Sequence, residues 1–232
     1  MPPPVPTQIT WFGDRCLRLE FGTENTPETR ARVYRAWEAL YDADFECRLR
    51  LTPAYTTILA EFDPLTLSDP KGFIASLFAE SPDAPAIPSR KTVELPVCYE
   101  APHAPDLESV AEHCGLSVED VVRAHSGATY EVAFIGFMPG FPYLVGLPNE
   151  LACPRLPNPR LRVPSGSVAI ADDQTGIYPR SSAGGWRLVG RTPLRLFDAA
   201  QPSPSLLEIG DSVRFRRITP AEFDTLAAQR NS

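Results

Sequence analysis

Residues 134–197 read FIGFMPGFPYLVGLPNELACPRLPNPRLRVPSGSVAIADDQTGIYPRSSAGGWRLVGRTPLRLF, and this stretch decides what the chain can be. Eight of the chain's 14 glycines lie between 136 and 190, and nine of its 26 prolines lie between 139 and 193. Glycine permits positive φ and close backbone approach, whereas proline fixes φ and keeps a loop from becoming a helix. Seven arginines between 155 and 195 offer planar donor pairs to carboxylate or phosphate. The stretch predicts rigid loops around a site that accepts an anion.

The charge of the whole chain narrows the class of ligand. Its 232 residues carry a formal net charge of −7, and 43% of them are hydrophobic, which is a globular composition. An acidic protein has no general attraction for nucleic acids or membranes. Only two acids, Asp172 and Asp173, accompany the seven arginines between 155 and 195. A basic island on an acidic chain favours a small anionic ligand or an acidic partner surface, although an exposed, solvated arginine face explains it too.

Cysteine usage and the first residues indicate the expected compartment. The five cysteines are scattered, odd in number and without zinc or redox spacing, which favours reduced thiols in the cytoplasm. The opening MPPPVPTQIT lacks the basic flank and apolar run of a signal peptide. No stretch approaches the roughly 20 apolar residues of a membrane span. No histidine and carboxylate cluster has metal-ligand spacing, so no metal site is expected.

The first part of the chain predicts a small α+β domain. Strands are expected at 8–12, 16–21, 45–51 and 55–62, and helices at 27–40 and 68–80. Apolar residues at helical spacing form the buried face of the first helix: Val33, Ala36, Trp37 and Leu40. This mixture suggests a ferredoxin-like layer over residues 1–88. The proline-rich segment 81–90 is the best linker, so a second domain is expected over 89–232.

The second domain reads as short strands among glycine and proline loops, which indicates a β-barrel or sandwich. Strands are expected at 92–99 and 130–134, a short helix at 106–113, and two strands around a Gly-Asp turn within 206–217. Ser117 and Asp120 resemble a capping box, so a second helix begins there and runs to about Ser126, before Gly127.

Several ordered runs in this half resemble one known family. They are GFMPGFPYL at 136–144, RLRVPSGSV at 160–168, QTGIYP at 174–179 and GGWRLVGRTPL at 184–194, preceded by His125 and Tyr130. The chain resembles the allophanate hydrolase subunit 1 family, also called the carboxyltransferase C/D-subdomain family. The resemblance is firm over about 93–215 and implies an N-terminal ferredoxin-like domain and a C-terminal cyclophilin-like β-barrel. This chain departs from the family pattern at Asp172 and Asp173, where small residues, often glycine, are usual.

The family resemblance also implies an activity. Its members include the B subunit of a bacterial ATP-dependent 5-oxoprolinase, which with an A subunit and a C subunit (a carboxyltransferase A-B subdomain homologue) opens the lactam of 5-oxo-L-proline to L-glutamate. ATP would act in that complex as its magnesium form, with no cofactor held tightly by this chain. Two alternatives stay open. One is a protein that binds and inhibits a sensor histidine kinase. The other is a subdomain of a biotin-dependent carboxyltransferase, such as urea carboxylase.

Three residues are candidates for catalysis: His125, Arg187 and Arg191. His125 lies near the end of a predicted helix, where a cation would favour the helix dipole, and a histidine also suits acid–base chemistry near neutral pH. The arginines could clamp an anionic group in bidentate geometry or pair with the protein's own acids. The sequence has no Gly-x-x-x-x-Gly-Lys-Ser/Thr phosphate loop and no Gly-x-Ser-x-Gly elbow. These absences favour a chain that contributes part of an active site, which a partner chain completes.

The remaining candidates bind rather than react. Substrate contacts are expected from Arg160, Arg162, Gln174 and Tyr178, because guanidinium, amide and hydroxyl groups orient a lactam or carboxylate. An interface is expected at Phe137, Phe141 and Tyr143, although such aromatics also fill barrels. His103 and His113 have no such support and are expected at the surface.

Overall fold

A computed structural model describes residues 4–42, 50–65, 68–80 and 91–229. The chain divides into two compact units, 1–89 and 90–232, which are described separately. The expected linker at 81–90 and most of the expected strand at 45–51 lie outside the described residues. Within them, no helix is long and apolar enough to cross a membrane.

The first unit is an antiparallel sheet with two helices. Its elements are β1 Gln8–Trp11, β2 Cys16–Glu20, α1 Pro27–Asp42, β3 Arg50–Ala54, β4 Thr57–Glu61 and α2 Pro70–Glu80. The sheet order is β1-β2-β4-β3, and each neighbouring pair is antiparallel. Alternation in β2 buries Leu17 and Leu19 on one face, where α1 adds Val33, Ala36 and Leu40. The α+β composition is confirmed, and the ferredoxin-like assignment stays a prediction.

The second unit is built on a closed barrel of seven strands in the order β10-β7-β6-β13-β5-β12-β9. Its strands are β5 Thr92–Cys98, β6 Thr129–Ile135, β7 Pro142–Val145, β8 Arg160–Val163, β9 Ser167–Ala171, β10 Gln174–Ile177, β11 Ser182–Gly184, β12 Arg187–Arg191 and β13 Ser212–Ile218. Its helices are α3 Leu107–Cys114, α4 Val118–Gly127 and α5 Pro220–Gln229, with a short 3-10 turn at Asn149–Leu151. Strands β8 and β11 form a separate two-stranded ribbon.

Barrel closure depends on one parallel pair. Strand β13 lies parallel to β5, from Ser212 opposite Thr92 to Ile218 opposite Cys98, while every other barrel pair is antiparallel. A closed barrel removes the exposed strand edges that an open sheet presents. The barrel alternative of the sequence prediction is therefore confirmed, and the sandwich is wrong. The finer cyclophilin-like description stays a prediction.

Two apolar clusters hold this unit. The inner cluster fills the barrel and is sealed by α3 and α4; its members include Leu95, Val97, Tyr130, Val132, Val168, Ile170, Val189 and Phe215. The outer cluster packs on the opposite face of the same strands; its members are Met138, Phe141, Val163, Ala169, Ala171, Tyr178, Trp186 and Leu188. Successive strand residues point to opposite faces, so β9 and β12 contribute to both clusters.

The local predictions for this unit hold except near the C-terminus. Ser117 caps α4 as expected, because its hydroxyl accepts the backbone N–H of Asp120 at 3.1 Å. The pair of strands expected within 206–217 is wrong, since only β13 forms there. Gly210 has φ of 84° and the carboxylate of Asp211 accepts the backbone N–H of Glu208 at 2.8 Å. These contacts hold the segment before β13 in a turn, so this segment does not pair with another strand.

Replacing one glycine beside the ribbon by alanine should strongly destabilise the protein. At Gly166, φ is 83° and an added Cβ would lie 2.2 Å from the backbone oxygen of Thr192. At Gly115, φ is 66° but no atom lies within 4 Å of the added Cβ. We expect Gly166→Ala to lower the free energy of unfolding by about 3 kcal/mol or more. Gly115→Ala should cost about 1–2 kcal/mol, for backbone strain alone. Urea unfolding of both variants checks this, and equal losses would contradict it.

Candidate functional site

Three of the four arginines predicted as site residues, Arg160, Arg162 and Arg191, line one cleft of about 280 Å³ in the second unit. Its polar wall consists of His103, Arg160, Arg162, Ser167 and Arg191, and we call it the arginine cleft. The apolar wall consists of Pro102, Pro105, Pro164 and Leu188. Separate chain segments build it, because the ribbon supplies two arginines, β9 and β12 contribute from the barrel, and the loop between β5 and α3 closes one side.

Asp106 fixes Arg160 at the edge of the cleft. The Asp106 side chain is buried, and one carboxylate oxygen accepts the backbone N–H of Leu188 at 2.7 Å. The other accepts Nη2 of Arg160 at 2.5 Å. A buried carboxylate requires both charge and hydrogen-bond compensation, so Arg160 is held by the fold. Its Nη1 is sheltered from solvent and has no hydrogen-bond partner among the described residues.

The other two arginines differ in how strongly the protein holds them. Arg191 donates Nε to the backbone oxygen of Ser165 at 2.8 Å, and its guanidinium carbon lies 5.6 Å from the ring centre of Phe223. Arg162 is exposed, and it makes no hydrogen bond or ion pair within the described part of the chain. Arg162 is therefore the arginine that loses least internal contact when it turns to a ligand.

Two polar residues of the cleft, His103 and Ser167, were not among the predicted site residues, and His103 is the titratable one. Its ring packs 4.1 Å from that of Phe223 on α5, and Nδ1 is sheltered without a hydrogen-bond partner in the described structure. Burial and, next, the positive charge of Arg191 lower the pKa of His103, while Asp224 acts in the opposite direction. The sequence carried one signal, since prolines at 102 and 105 bracket the histidine and stiffen its loop.

His125 lies inside the barrel and away from solvent. The Thr175 hydroxyl donates to the backbone oxygen of Ala169 at 2.9 Å, so its oxygen accepts Nε2–H of His125 at 3.1 Å. Nδ1 of His125 then accepts the hydroxyl of Tyr99 at 2.9 Å. The ring stacks on Phe215, with ring centres 4.8 Å apart. Burial lowers the pKa of His125 to about 3, so the ring is neutral near pH 7.

These contacts argue against a direct catalytic role for His125. Both ring nitrogens are occupied, and the side chain is fully buried. A general acid or base must reach the proton that it transfers. The ring instead joins α4 to two barrel strands, because Tyr99 follows β5 and Thr175 lies on β10.

The remaining predicted residues lie apart from the cleft lining. Arg187 donates Nε to the backbone oxygen of Pro154 at 2.9 Å and Nη1 to the hydroxyl of Ser109 at 3.1 Å. It therefore ties α3 to the loop before β8. Tyr178 is buried in the outer cluster, where its ring lies 5.2 Å from that of Phe141. Gln174 begins β10, and its amide nitrogen lies 3.4 Å from a carboxylate oxygen of Asp173.

The aromatic residues of the expected interface separate into one exposed ring and a packed group. Phe137 is 62% exposed and has φ of 63°. Phe141 is buried, with Tyr143 and Trp186 at ring distances of 4.9 and 5.6 Å. Phe141 cannot serve a partner surface as expected, because its area is already used inside the outer cluster. Among these aromatic residues, Phe137 alone presents a large apolar face.

The backbone conformation explains why an aspartate stands at 172, where the family pattern usually has a small residue. Asp172 opens the turn between β9 and β10 and has φ of 55°, in the left-handed region that favours glycine. Aspartate tolerates this region better than most residues, which accounts for its place there. One carboxylate oxygen of Asp172 lies 3.7 Å from Nε of Arg155, so part of its charge is balanced within the protein.

A second cleft, of about 550 Å³, lies in the first unit. Its charged lining is mixed, with Arg15 and Arg50 facing Glu61 and Asp63. Nη1 of Arg50 and a carboxylate oxygen of Glu61 are 4.0 Å apart. This larger cleft therefore offers less net positive charge to an anion. Over the described ranges, no three histidine, cysteine, aspartate or glutamate side chains converge on a metal position.

Comparison with known proteins assigns the family. A family model of the carboxyltransferase domain, subdomain C and D, matches residues 7–207. The chain belongs to this family. Among its relatives, the B subunit of 5-oxoprolinase from Bacillus subtilis is 36% identical, over 97% of this chain and 98% of that protein. The Escherichia coli O157:H7 protein of the same name is 54% identical over 128 residues, which are 59% of its length.

Solved structures with this carboxyltransferase subdomain fold differ widely in size. TTHA0988 is 39% identical with a TM-score of 0.79, and the match covers 88% of this chain but 40% of that one. A conserved uncharacterized protein from Pyrococcus horikoshii, also 39% identical, is covered in full with a TM-score of 0.56. Kluyveromyces lactis urea carboxylase matches at a TM-score of 0.76 and 20% identity, over 22% of its chain, which shows a shared fold alone.

The neutral His125 makes barrel stability depend on pH. The depressed pKa means that the unfolded chain binds a proton below about pH 6.5 that the native core excludes. Stability is therefore full above that pH and falls as the pH drops toward 3, by about 1.4 kcal/mol per unit. From pH 7 to 5 we expect His125 to account for a loss of about 2 kcal/mol.

The substitution His125→Gln retains one donor and one acceptor but does not titrate, so it should abolish this part of the loss. The measurement is urea unfolding at pH 5 and pH 7, followed by Trp186 fluorescence after Trp11 and Trp37 are replaced by phenylalanine. If the free energy of unfolding depends on pH equally in the His125→Gln variant and the unmodified protein, the loss of stability does not come from His125.

Proposed function

We propose that this chain is the B subunit of an ATP-dependent 5-oxoprolinase, a complex that opens the lactam of 5-oxo-L-proline to L-glutamate while ATP becomes ADP and phosphate. The observation that carries the proposal is the match to the B subunit of 5-oxoprolinase from Bacillus subtilis, which spans 97% of this chain and 98% of that relative at 36% identity. Because the match runs from end to end, it relates both units of this chain to that relative. A match to one motif would relate only a short segment.

The arginine cleft is the place on this chain that suits the substrate. The carboxylate of 5-oxoproline would meet Arg162 and Arg191, since arginine binds carboxylates through paired N–H donors. The small apolar ring would lie against the prolines and Leu188 of the opposite wall. The cleft volume of about 280 Å³ suits a small ligand rather than a nucleotide.

ATP and partner subunits complete the proposed enzyme. This chain has no phosphate-binding loop sequence, so we assign no step through ATP to its residues. The A and C subunits would supply the rest of the site. The match to TTHA0988 supports this arrangement. It covers 40% of that chain, so in TTHA0988 a region similar to this chain is joined to additional sequence.

The proposal revises the roles expected from the sequence. We retain Arg160 and Arg162 as substrate-binding residues and move Arg191 from the catalytic group to this one, because all three line one cleft. We assign His125 and Arg187 to the support of the barrel, in line with their internal hydrogen bonds. Gln174 and Tyr178 would act on the ligand only indirectly.

Each unit also admits a finer description of its fold. In the first, the order β1-β2-β4-β3 places the N-terminal strand where the last strand of a ferredoxin-like β-α-β-β-α-β unit would lie, so we propose a permuted ferredoxin-like sheet. In the second, we propose a cyclophilin-like barrel, supported by seven closed strands and the helices that seal them.

The two alternative functions gain less support. The likeness to urea carboxylase lies at 20% identity and supports the shared fold alone. A kinase inhibitor needs a docking surface, and the burial of Phe141 leaves Phe137 as the exposed member of the expected aromatic face.

Reconstitution tests the proposed function. The A and C subunits are assembled with and without this chain, and glutamate release from 5-oxo-L-proline plus ATP is measured. We expect release only when this chain is present. A fully assembled complex that releases no glutamate would reject the proposal, and loss of autophosphorylation in a sensor kinase incubated with this chain would then favour the inhibitor.

Arg162 gives the cleanest test of the cleft. Because it has no hydrogen-bond or ion-pair partner within the described structure, Arg162→Ala should leave the fold intact while removing a charged contact to the carboxylate. We expect KM for 5-oxoproline to rise by about 10- to 100-fold, as for loss of a charged hydrogen bond. Arg195→Ala is the matched control, since Arg195 is exposed and bonds Asp198 outside the cleft. An equal KM effect in both variants would exclude the cleft as the carboxylate site.

A further inference from the structure

Two residues that line the arginine cleft each carry a sheltered polar atom without a hydrogen-bond partner. In the described part of the second unit, the sheltered side-chain atoms without a hydrogen-bond partner are Nη1 of Arg160 and Nδ1 of His103, and both residues line the cleft. Native proteins rarely leave buried polar atoms unpaired, and an exception calls for a ligand, water or catalytic use. Their shared location points to one bound group that satisfies both.

Of the two unpaired atoms, Nη1 of Arg160 is the donor, and the fold fixes its position. Arg160 is anchored through Nη2 to the buried carboxylate of Asp106, which is itself held by the backbone of Leu188. The guanidinium is planar and always protonated, so fixing Nη2 also fixes the direction of the N–H bonds on Nη1. Arg160 can only donate, and it therefore needs a ligand oxygen.

The acceptor of the pair is the ring of His103. The backbone N–H of His103 donates to the oxygen of Glu100 at 2.8 Å, and Phe223 packs against the ring. Burial and, next, the positive charge of Arg191 lower the pKa of His103, while Asp224 on α5 acts in the opposite direction. Burial and a neighbouring cation both disfavour a charged imidazole. A neutral ring with its proton on Nε2 leaves Nδ1 as an acceptor, which needs a ligand N–H.

A five-membered lactam carries the complementary pair on one edge. Its amide is held cis by the ring, so the C=O acceptor and the N–H donor point to the same side. An ester of the same shape has no N–H, and a saturated amine ring has no C=O. Donor and acceptor in adjacent positions thus distinguish a lactam from both.

We propose that Arg160 and His103 read the lactam edge of the substrate: Nη1 of Arg160 donates to the ring carbonyl and Nδ1 of His103 accepts the ring N–H. This inference rests on the proposed function and deepens it, since it assigns specificity for the lactam to residues distinct from those that hold the carboxylate. Phe223 is a positioning residue, because it contacts both His103 and Arg191.

The test compares three ligands of similar size on the full chain. They are 5-oxo-L-proline, the lactone 5-oxotetrahydrofuran-2-carboxylate, which lacks the N–H, and L-proline, which lacks the carbonyl; inorganic phosphate serves as the anion probe. Binding of every ligand is measured by calorimetry, and the lactone and L-proline are also tested in the reconstituted complex as inhibitors of glutamate release from 5-oxo-L-proline. We expect the lactam to bind at least about 10-fold more tightly than the lactone, because the lactone leaves Nδ1 unpaired.

The variant that tests His103 is His103→Phe. It retains an aromatic ring against Phe223 but removes both nitrogens, so the lactam-to-lactone ratio should fall to about 1 while binding of inorganic phosphate is unchanged. His113→Ala is the matched control, because His113 is exposed on α3 and does not line the cleft. Its ratio should equal that of the unmodified chain.

The outcomes separate this inference from the function on which it rests. A complex that requires this chain and cleaves 5-oxoproline, but whose ratio survives His103→Phe, overturns the lactam assignment alone. Equal binding of lactam, lactone and phosphate makes the cleft a general anion site and overturns it too. A correctly assembled complex that releases no glutamate rejects the proposed function, whatever the ligands do on the isolated chain.

Discussion

The buried carboxylate of Asp106 is the contact on which the site depends. It accepts the backbone N–H of Leu188 on β12 and the guanidinium of Arg160 on β8, so one side chain joins the start of α3, the barrel and the ribbon. A charge taken out of water is tolerated only when it is paired and hydrogen-bonded, and removing one partner leaves the other uncompensated. Arg160 thus supports the fold as well as the proposed ligand contact, which makes it a poor single probe of function.

The glycine and proline bias that opens the functional half has two separate uses. At Gly176, an added Cβ would meet Phe141 at 2.9 Å and Trp186 at 3.0 Å, and at Gly184 it would meet the hydroxyl of Tyr178 at 2.3 Å. These glycines make room for the aromatic rings of the outer cluster, not for a ligand. The prolines at 102, 105 and 164 do border the cleft, where fixed φ angles hold its wall. Composition alone could not separate packing from binding.

Local signals in the sequence predicted local structure well. The helical spacing of Val33 and Ala36 and the Ser117 cap identify α1 and α4, because each depends on neighbours within a few residues. Barrel closure depends instead on β13 pairing with β5, more than a hundred residues away, and periodicity carries no information about the partner strand. His125 shows the same limit. The near-neutral pKa of an ordinary histidine suggested acid–base chemistry, whereas the barrel interior makes it a neutral core residue.

The seven arginines of the basic island divide according to what already binds them. Arg155 lies near Asp172, Arg195 pairs with Asp198, and Arg187 bonds Ser109 and a backbone oxygen, so their charges serve the protein's own loops. Arg162 is exposed and makes no hydrogen bond or ion pair within the described residues. Charge density in the sequence therefore overstated the size of the anion site. The proposed lactam contact describes the site more narrowly, because the unpaired nitrogens of Arg160 and His103 would take one ligand acceptor and one ligand donor rather than an anion of any kind.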